Sequence, residues 1–341
     1  MQSVTPRLSR TPLLTATAVG RRAFSLIELL VVIMIIAILF SLILVGVRGA
    51  MGTARNATVT VEFKNIEKAV TDFRAKYGIE PPSGIILFET SAGWTGSSPS
   101  TAAVNRSRAL IRQMWPDFDF SMARDINGDD DMLDTITLNG SECLVFFLGG
   151  VSSTNVVDKS GNLIGTPGAA VTTWAPLGFS ANPGNPLGRG GARVTPFYEF
   201  DTGRLINRDG AADPEGLPEY IDPLPGQRTP ILYASSYGGK GYRDADVQLS
   251  VQLPYSAYAT PPTGFAYYYR QYSGTTFPAT AALFTAAPAF NAKTFQLISP
   301  GFDGEYGWGG ILSTNMELNE PRPERAFERD NITNFKGGTL N

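Results

Sequence analysis

The sequence predicts an α+β fold: one long N-terminal helix packed on a small antiparallel β-sheet, with long loop insertions. Three observations lead there. An uncharged apolar run covers residues 29–47, an amphipathic stripe with helical spacing follows it, and β-branched and aromatic runs separated by turn residues fill the last third of the chain.

The apolar run is LLVVIMIIAILFSLILVGV, interrupted only by Ser41 and Gly46. As a helix it spans about 28 Å, close to the hydrocarbon thickness of a bilayer. Arg7, Arg10, Arg21 and Arg22 precede it, and the first acidic residue is Glu28. This asymmetry places the N-terminus in the cytoplasm and the residues after about 50 on the far side of the membrane. The run is too long for a secretory signal peptide, and Arg48 falls where a cleavage site would want a small residue. A plain anchor leaves Glu28 unexplained, because a carboxylate at the edge of an apolar span is costly unless it has a function.

Beyond Gly46, Gly49 and Gly52, Phe63, Ile66, Val70, Phe73 and Tyr77 form a stripe spaced 3, 4, 3 and 4, with charged residues on the other faces. The three glycines weaken the helix at a point where it could bend or locally melt. The helix is predicted to end near Gly78, before Pro81-Pro82. Residues 91–105 and 149–195 read as loops, residues 106–118 as a helix and 142–149 as a short apolar element. Strands are predicted at Pro230–Ser235, Val247–Leu253, Phe265–Tyr272 and Phe295–Ser299.

Composition narrows the function. There are 31 acidic and 28 basic residues, a net charge of -3 that argues against a nucleic-acid partner. The absence of histidine excludes a Ser-His-Asp triad and a His-ligated zinc site. The single cysteine, Cys143, lies in an apolar stretch and cannot close an intramolecular disulfide. The 13 Tyr, 20 Phe and 4 Trp are explained as core more simply than as a carbohydrate surface.

The segment Arg21-Arg22-Ala23-Phe24-Ser25-Leu26-Ile27-Glu28-Leu29-Leu30 resembles the processing site of type IV prepilins and pseudopilins. The resemblance implies cleavage between Ala23 and Phe24 by a prepilin peptidase, methylation of the new N-terminus, and Glu28 as the fifth residue of the product. In that family the carboxylate pairs with the N-terminal amine of a neighbouring subunit, a buried pair that sets register. Ala23 departs from the usual glycine before the cut.

Three further stretches are similar to parts of major pseudopilins of type II secretion systems. Ile221-Asp222-Pro223-Leu224-Pro225-Gly226 followed by Pro230-Ile231-Leu232-Tyr233 resembles their Asp-Pro turn and strand. Ile298-Ser299-Pro300-Gly301-Phe302-Asp303-Gly304 and Asp330-Asn331-Ile332-Thr333-Asn334 resemble their Asp-Gly loop and acidic closing segment. The resemblance implies a Ca2+ held by Asp303 and Asp330, with Asn331 where the family has a carboxylate. Separately, Asp125, Asn127, Asp129 and Asp131 place oxygen side chains at alternate positions, like the first half of a calcium loop. It is not an EF-hand, because Asp130 stands where glycine is needed and Ile136 at the twelfth position.

The resemblance therefore implies a leader at 1–23, a long helix at 24–78 (transmembrane 26–47, amphipathic 55–78) and a periplasmic globular domain at 79–341. It implies a non-enzymatic subunit of a periplasmic filament, anchored in the inner membrane. Its partners would be other pseudopilin subunits, the prepilin peptidase and the secretion platform of the inner membrane. A pilin of a surface fibre for adhesion, motility or DNA uptake is the alternative within the family. A signal-anchored periplasmic binding domain is the alternative outside it.

Overall fold

A computed structural model describes residues 25–128, 132–152, 175–206, 217–243, 246, 268–272, 287–307, 310–313 and 327–340. The chain divides into two units, Met1–Gly52 and Thr53–Asn341. The helix α1 (Leu26–Tyr77) begins in the first and ends in the second, running through Gly46, Gly49 and Gly52 without a break.

In the first unit, Leu26–Ile43 has a mean hydropathy of 3.1 and none of its residues is buried. Such a surface is unfavourable in water and matches the length of a membrane span. Its start has a local cause that periodicity does not reveal. Ser25 Oγ accepts the Glu28 N–H at 3.2 Å, and the Ser25 N–H reaches back to Glu28 Oε2 at 3.4 Å. This is the reciprocal arrangement of a capping box.

In the second unit, α1 buries Val59, Phe63, Ile66, Val70 and Phe73, the apolar stripe extended by one turn. Tyr77 is the last helical residue, and Gly78 follows with φ +78°, its N–H bonded to the Arg74 carbonyl at 2.8 Å. Polar contacts add direction to this apolar docking. Glu62 accepts from Tyr198 Oη at 2.6 Å, Arg204 Nη2 at 2.7 Å and Tyr220 Oη at 2.9 Å.

The sheet is antiparallel, with strands in the order β10 (Gly338–Thr339), β9 (Ile332–Thr333), β7 (Phe295–Ser299) and β5 (Leu232–Ser235). Two smaller antiparallel pairs are separate from it: β1 (Ile85–Phe88) with β2 (Thr135–Leu138), and β3 (Leu205–Ile206) with β4 (Glu219–Tyr220). The α+β class with one small antiparallel sheet is the one expected. The strand within the predicted run 265–272 is β6 (Arg270–Tyr272), and it pairs in parallel with β8 (Ile311–Ser313), outside the four-stranded sheet. Parallel pairing requires a long crossover, which the chain between them provides. The predicted strand Val247–Leu253 lies outside the described residues.

Two expectations are corrected. Helix α2 is Thr101–Met114, so residues 101–105 are helical, and the segment 115–118 has left the helix. Ser100 caps it, its side chain accepting from the Ala103 N–H, within a run of small polar residues that reads as loop. The strands β1 and β2 were not anticipated. All four β1 residues are buried, so the period-2 alternation that marks a half-exposed strand is absent.

Helix α3 (Gly140–Gly149) is the centre of the second unit, with all ten residues buried. Asn139 and Glu142 form a capping box at its start. It lies against β2, β4 and β5, and its Phe147 meets Phe73 of α1 edge-on at 6.0 Å between ring centres. Cys143 is one of its buried residues, and burial pushes its thiol well above the usual range.

The approach of α3 to β5 is close enough that a Cβ on Gly140 would overlap the Tyr233 carbonyl oxygen. Gly140→Ala is therefore expected to lower the stability of the chain by about 3 kcal/mol, the upper range for overpacking a core. Urea unfolding of the detergent-solubilised chain, followed by tryptophan fluorescence, measures this; a change under about 0.5 kcal/mol, the usual size for a surface site, would contradict it.

Candidate functional site

Three candidate regions came from the sequence: the processing site, the Asp303–Asp330 loop and the Asp125–Asp131 loop. Ala23 and Phe24 lie outside the described residues, so the processing site is represented by Ser25 and Glu28 alone. The capping box holds the Glu28 carboxylate beside the first turn of α1, where the helix dipole favours negative charge.

The structure brings the Asp222 turn and the Gly301 loop together. Asp222 Oδ1 accepts the Leu224 N–H at 2.9 Å, and its Oδ2 accepts from Ser299 Oγ and from Gln227 Nε2 at 3.2 Å. Gln227 Nε2 also donates to the Gly301 carbonyl at 3.1 Å, and Thr229 Oγ1 donates to the Gly304 carbonyl at 2.8 Å. On the other flank, Asp330 Oδ2 accepts the backbone N–H groups of Phe302 at 2.5 Å and Asp303 at 3.1 Å. Gly301 has φ +69°, and a Cβ there would strike the Asp330 backbone. The loop is thus clamped between two segments distant in sequence.

Burial and the adjacent Asp330 and Glu305 carboxylates push Asp303 up to about 6, although its bond from the Glu305 N–H works the other way. Asp330 is raised too, chiefly by burial. Among the described residues, neither carboxylate has an ion-pair partner within 4.0 Å. Asn331 is fully buried; its Nδ2 donates to the Tyr306 carbonyl at 2.9 Å and to Tyr269 Oη at 3.2 Å, while its Oδ1 has no hydrogen-bond partner among the described residues. The two carboxylates without an ion-pair partner are hard donors of the kind Ca2+ takes, while the Asn331 side chain is turned into the interior toward Tyr306 and Tyr269. No group of three His, Cys, Asp or Glu converges among the described residues, so a cation here would also need backbone carbonyls or water.

The second acidic loop is arranged differently. Asp125 Oδ1 accepts the Gly128 N–H at 2.5 Å and its Oδ2 is paired with Arg189 at 3.1 Å. Asn127 Nδ2 donates to Asp134 Oδ2 at 2.8 Å. Asp129 and Asp131 lie outside the described residues. The residue that organises this loop is Glu89, which the sequence did not single out. It is fully buried just after β1 and accepts the N–H groups of Ile126 at 2.6 Å and Asp134 at 3.2 Å. The one signal that could have found it is its position, an acid directly following four apolar residues.

The family model of the prokaryotic N-terminal methylation motif matches residues 20–44. The chain therefore carries a prepilin motif of the type IV pilin-like kind, a substrate motif for prepilin peptidase. With the apolar first half of α1, the motif marks the N-terminus as a membrane anchor. Comparisons with curated proteins and with solved structures returned no match.

Burial, the largest influence, together with the charges of Asp134 and Asp125, pushes Glu89 up to about 7. Its folded value lies above the unfolded one, so the folded state binds the extra proton. The contribution of Glu89 to stability should increase as pH falls from 8 through 7 toward the unfolded range. A carbon-detected NMR titration should give a Glu89 carboxyl midpoint near 7. Arg189→Ala, which frees the Asp125 charge, should move that midpoint higher. A midpoint in the ordinary glutamate range would contradict the assignment.

Proposed function

We infer that this chain is a structural subunit of a type IV pilin-like filament, and specifically a pseudopilin of a type II secretion apparatus rather than an enzyme. The observation that carries this is the Arg21–Leu30 segment, inside the matched motif and followed at once by an exposed apolar helix. Prepilin peptidase would cut between Ala23 and Phe24. Ser25 and Glu28 both stay on the product, so the capping box survives the cut and presents the Glu28 carboxylate at the start of α1. In the filament the amine of a neighbour's Phe24 would compete with the Ser25 N–H for that carboxylate. The bond from the Ser25 N–H is already charge-assisted, so what the amine adds is a full opposite charge, and in a low-dielectric helix bundle that attraction favours assembly.

The choice of secretion over a surface fibre is supported by the Asp222 turn gripping the Gly301–Gly304 loop. The membrane would be the bacterial inner membrane, with the second unit in the periplasm and the secretion platform beneath. Asp303 and Asp330 would hold Ca2+, which neutralises the two carboxylates and locks the loop. Asp125, Asn127, Asp129 and Asp131 make a weaker second candidate, because Asp125 already has Arg189.

The first test is the N-terminal peptide of the chain recovered from membranes. Tandem mass spectrometry should find it beginning at methylated Phe24, and retention of residues 1–23 would return the chain to a plain anchored domain. The second test is thermal unfolding with and without calcium. Millimolar calcium should raise Tm by about 4 °C or more at pH 7.5, and the shift should fade toward pH 5 as Asp303 takes up its proton. In Asp303→Asn/Asp330→Asn the shift should vanish, while the metal-free double variant should be no less stable than the parent at pH 7.5, having lost an uncompensated repulsion. A calcium shift that survives the double variant would move the cation to the other loop.

A further inference from the structure

Helix α2 buries Val104, Ser107, Ile111 and Met114; beside that face Asn105 and Arg112 are exposed and Arg108 is half-buried. Both arginines stack on one ring. The Arg108 Cζ is 5.0 Å from the centre of Phe120, and the Arg112 Cζ is 5.3 Å from the same centre. Phe120 is itself held, 5.1 Å from the fully buried Trp94 and 4.7 Å from Phe118. Arg108 is fixed further by an Nη1 bond of 2.9 Å to the Trp94 carbonyl.

Arginine usually brings its own acid to such a position. Arg106, on the inner side of the same helix, pairs with buried Asp246 at 3.1 Å. Among the described residues, Arg108 and Arg112 make no ion pair with any carboxylate. Two like charges are thus concentrated on one aromatic platform with no carboxylate against either, although one Arg108 N–H is taken up by the Trp94 carbonyl. Stacking removes rotamer freedom in advance, so less entropy is lost when an anion arrives. The fork geometry suits a carboxylate or a phosphate.

We propose that the Arg108–Phe120–Arg112 platform is a subunit contact that receives acidic side chains from a neighbouring copy of this chain. A nucleic-acid backbone would need a longer track of cations than the two that α2 offers. The ring of Phe120 and the exposed Met122 add apolar surface beside the arginines, in a turn whose Asp119 carboxylate is taken up by the Ser121 N–H and hydroxyl; such a mixed margin suits a protein surface better than a phosphate. Acidic residues outnumber basic ones 31 to 28, so a second copy has carboxylates to offer. An open filament joins unlike faces of successive copies, so its geometry lets a cationic face on one copy meet an acidic face on the next. The proposal rests on the filament reading given above.

The test uses the full chain in membranes of cells that process it. Cys143 is buried, so Gln113→Cys creates the single accessible thiol, beside Arg112, for a benzophenone maleimide. Illumination should give an adduct of twice the chain mass, with the crosslinked peptide coming from an acidic segment of the second copy. Arg108→Glu/Arg112→Glu should reduce the adduct by about tenfold, and Arg108→Lys/Arg112→Lys should retain part of it. Should the reversed variant fail to fold by circular dichroism, about 0.5 M NaCl added to the labelled parent must still weaken the adduct. Adducts only with another protein, lipid or nucleic acid overturn the proposal, as does a homotypic adduct indifferent to charge reversal and salt. The same samples report cleavage before Phe24 and sedimentation. Processed, sedimenting chains without the adduct refute the platform alone; chains that neither sediment nor crosslink refute the filament reading with it.

Discussion

The described core of the second unit is packed around a helix with no exposed residue. The ten residues of α3 are all buried, and the elements that cover them are α1, β2, β4 and β5. A helix enclosed on every side cannot trade side-chain size against exposure, so its neighbours must fit it. That requirement explains glycine at position 140, where the Tyr233 carbonyl occupies the space of a Cβ. It also explains why the start of α3 closes its free N–H groups with its own Asn139 and Glu142, since water does not reach them.

The aromatic residues complete this enclosure. Phe73 and Tyr77 of α1, Phe146 and Phe147 of α3, and Trp115, Phe179 and Phe197 between them form a connected set of mostly edge-on contacts. Loops of the region 175–200 thereby contribute to the core although they contain no regular element longer than a bridge. The high glycine and proline content shapes such loops without leaving them unpacked.

The long helix was legible because its cause is periodic: an uncharged run, then a 3-4-3-4 stripe. β7 was legible because Phe295, Leu297 and Ile298 make a compact aromatic and branched run between turn residues. β1 was not, because a fully buried four-residue strand has no alternation and its partner lies 47 residues later, a pairing that local pattern cannot contain. The start of α2 was hidden for a different reason, since the Ser and Thr residues that favour loops also cap helices. At the candidate sites, resemblance located the loop of Asp303 and Asp330, but the grip of Asp222, Gln227 and Thr229 depends on the fold bringing distant segments together. Glu89 was illegible because its importance comes from two backbone N–H groups, which have no sequence signature.

The contacts of Glu62 have a mechanical consequence. A pull along the axis of α1 would reach the body of the second unit sideways, through one carboxylate shared by Tyr198, Arg204 and Tyr220 and through the aromatic set beside it. Contacts loaded side by side share force, as the rungs of a shear joint do. A joint peeled from one end would yield bond by bond. Within the second unit, the stretch of α1 after Gly52 is therefore fastened to its own body at several points along its length, and a load on it is shared among them.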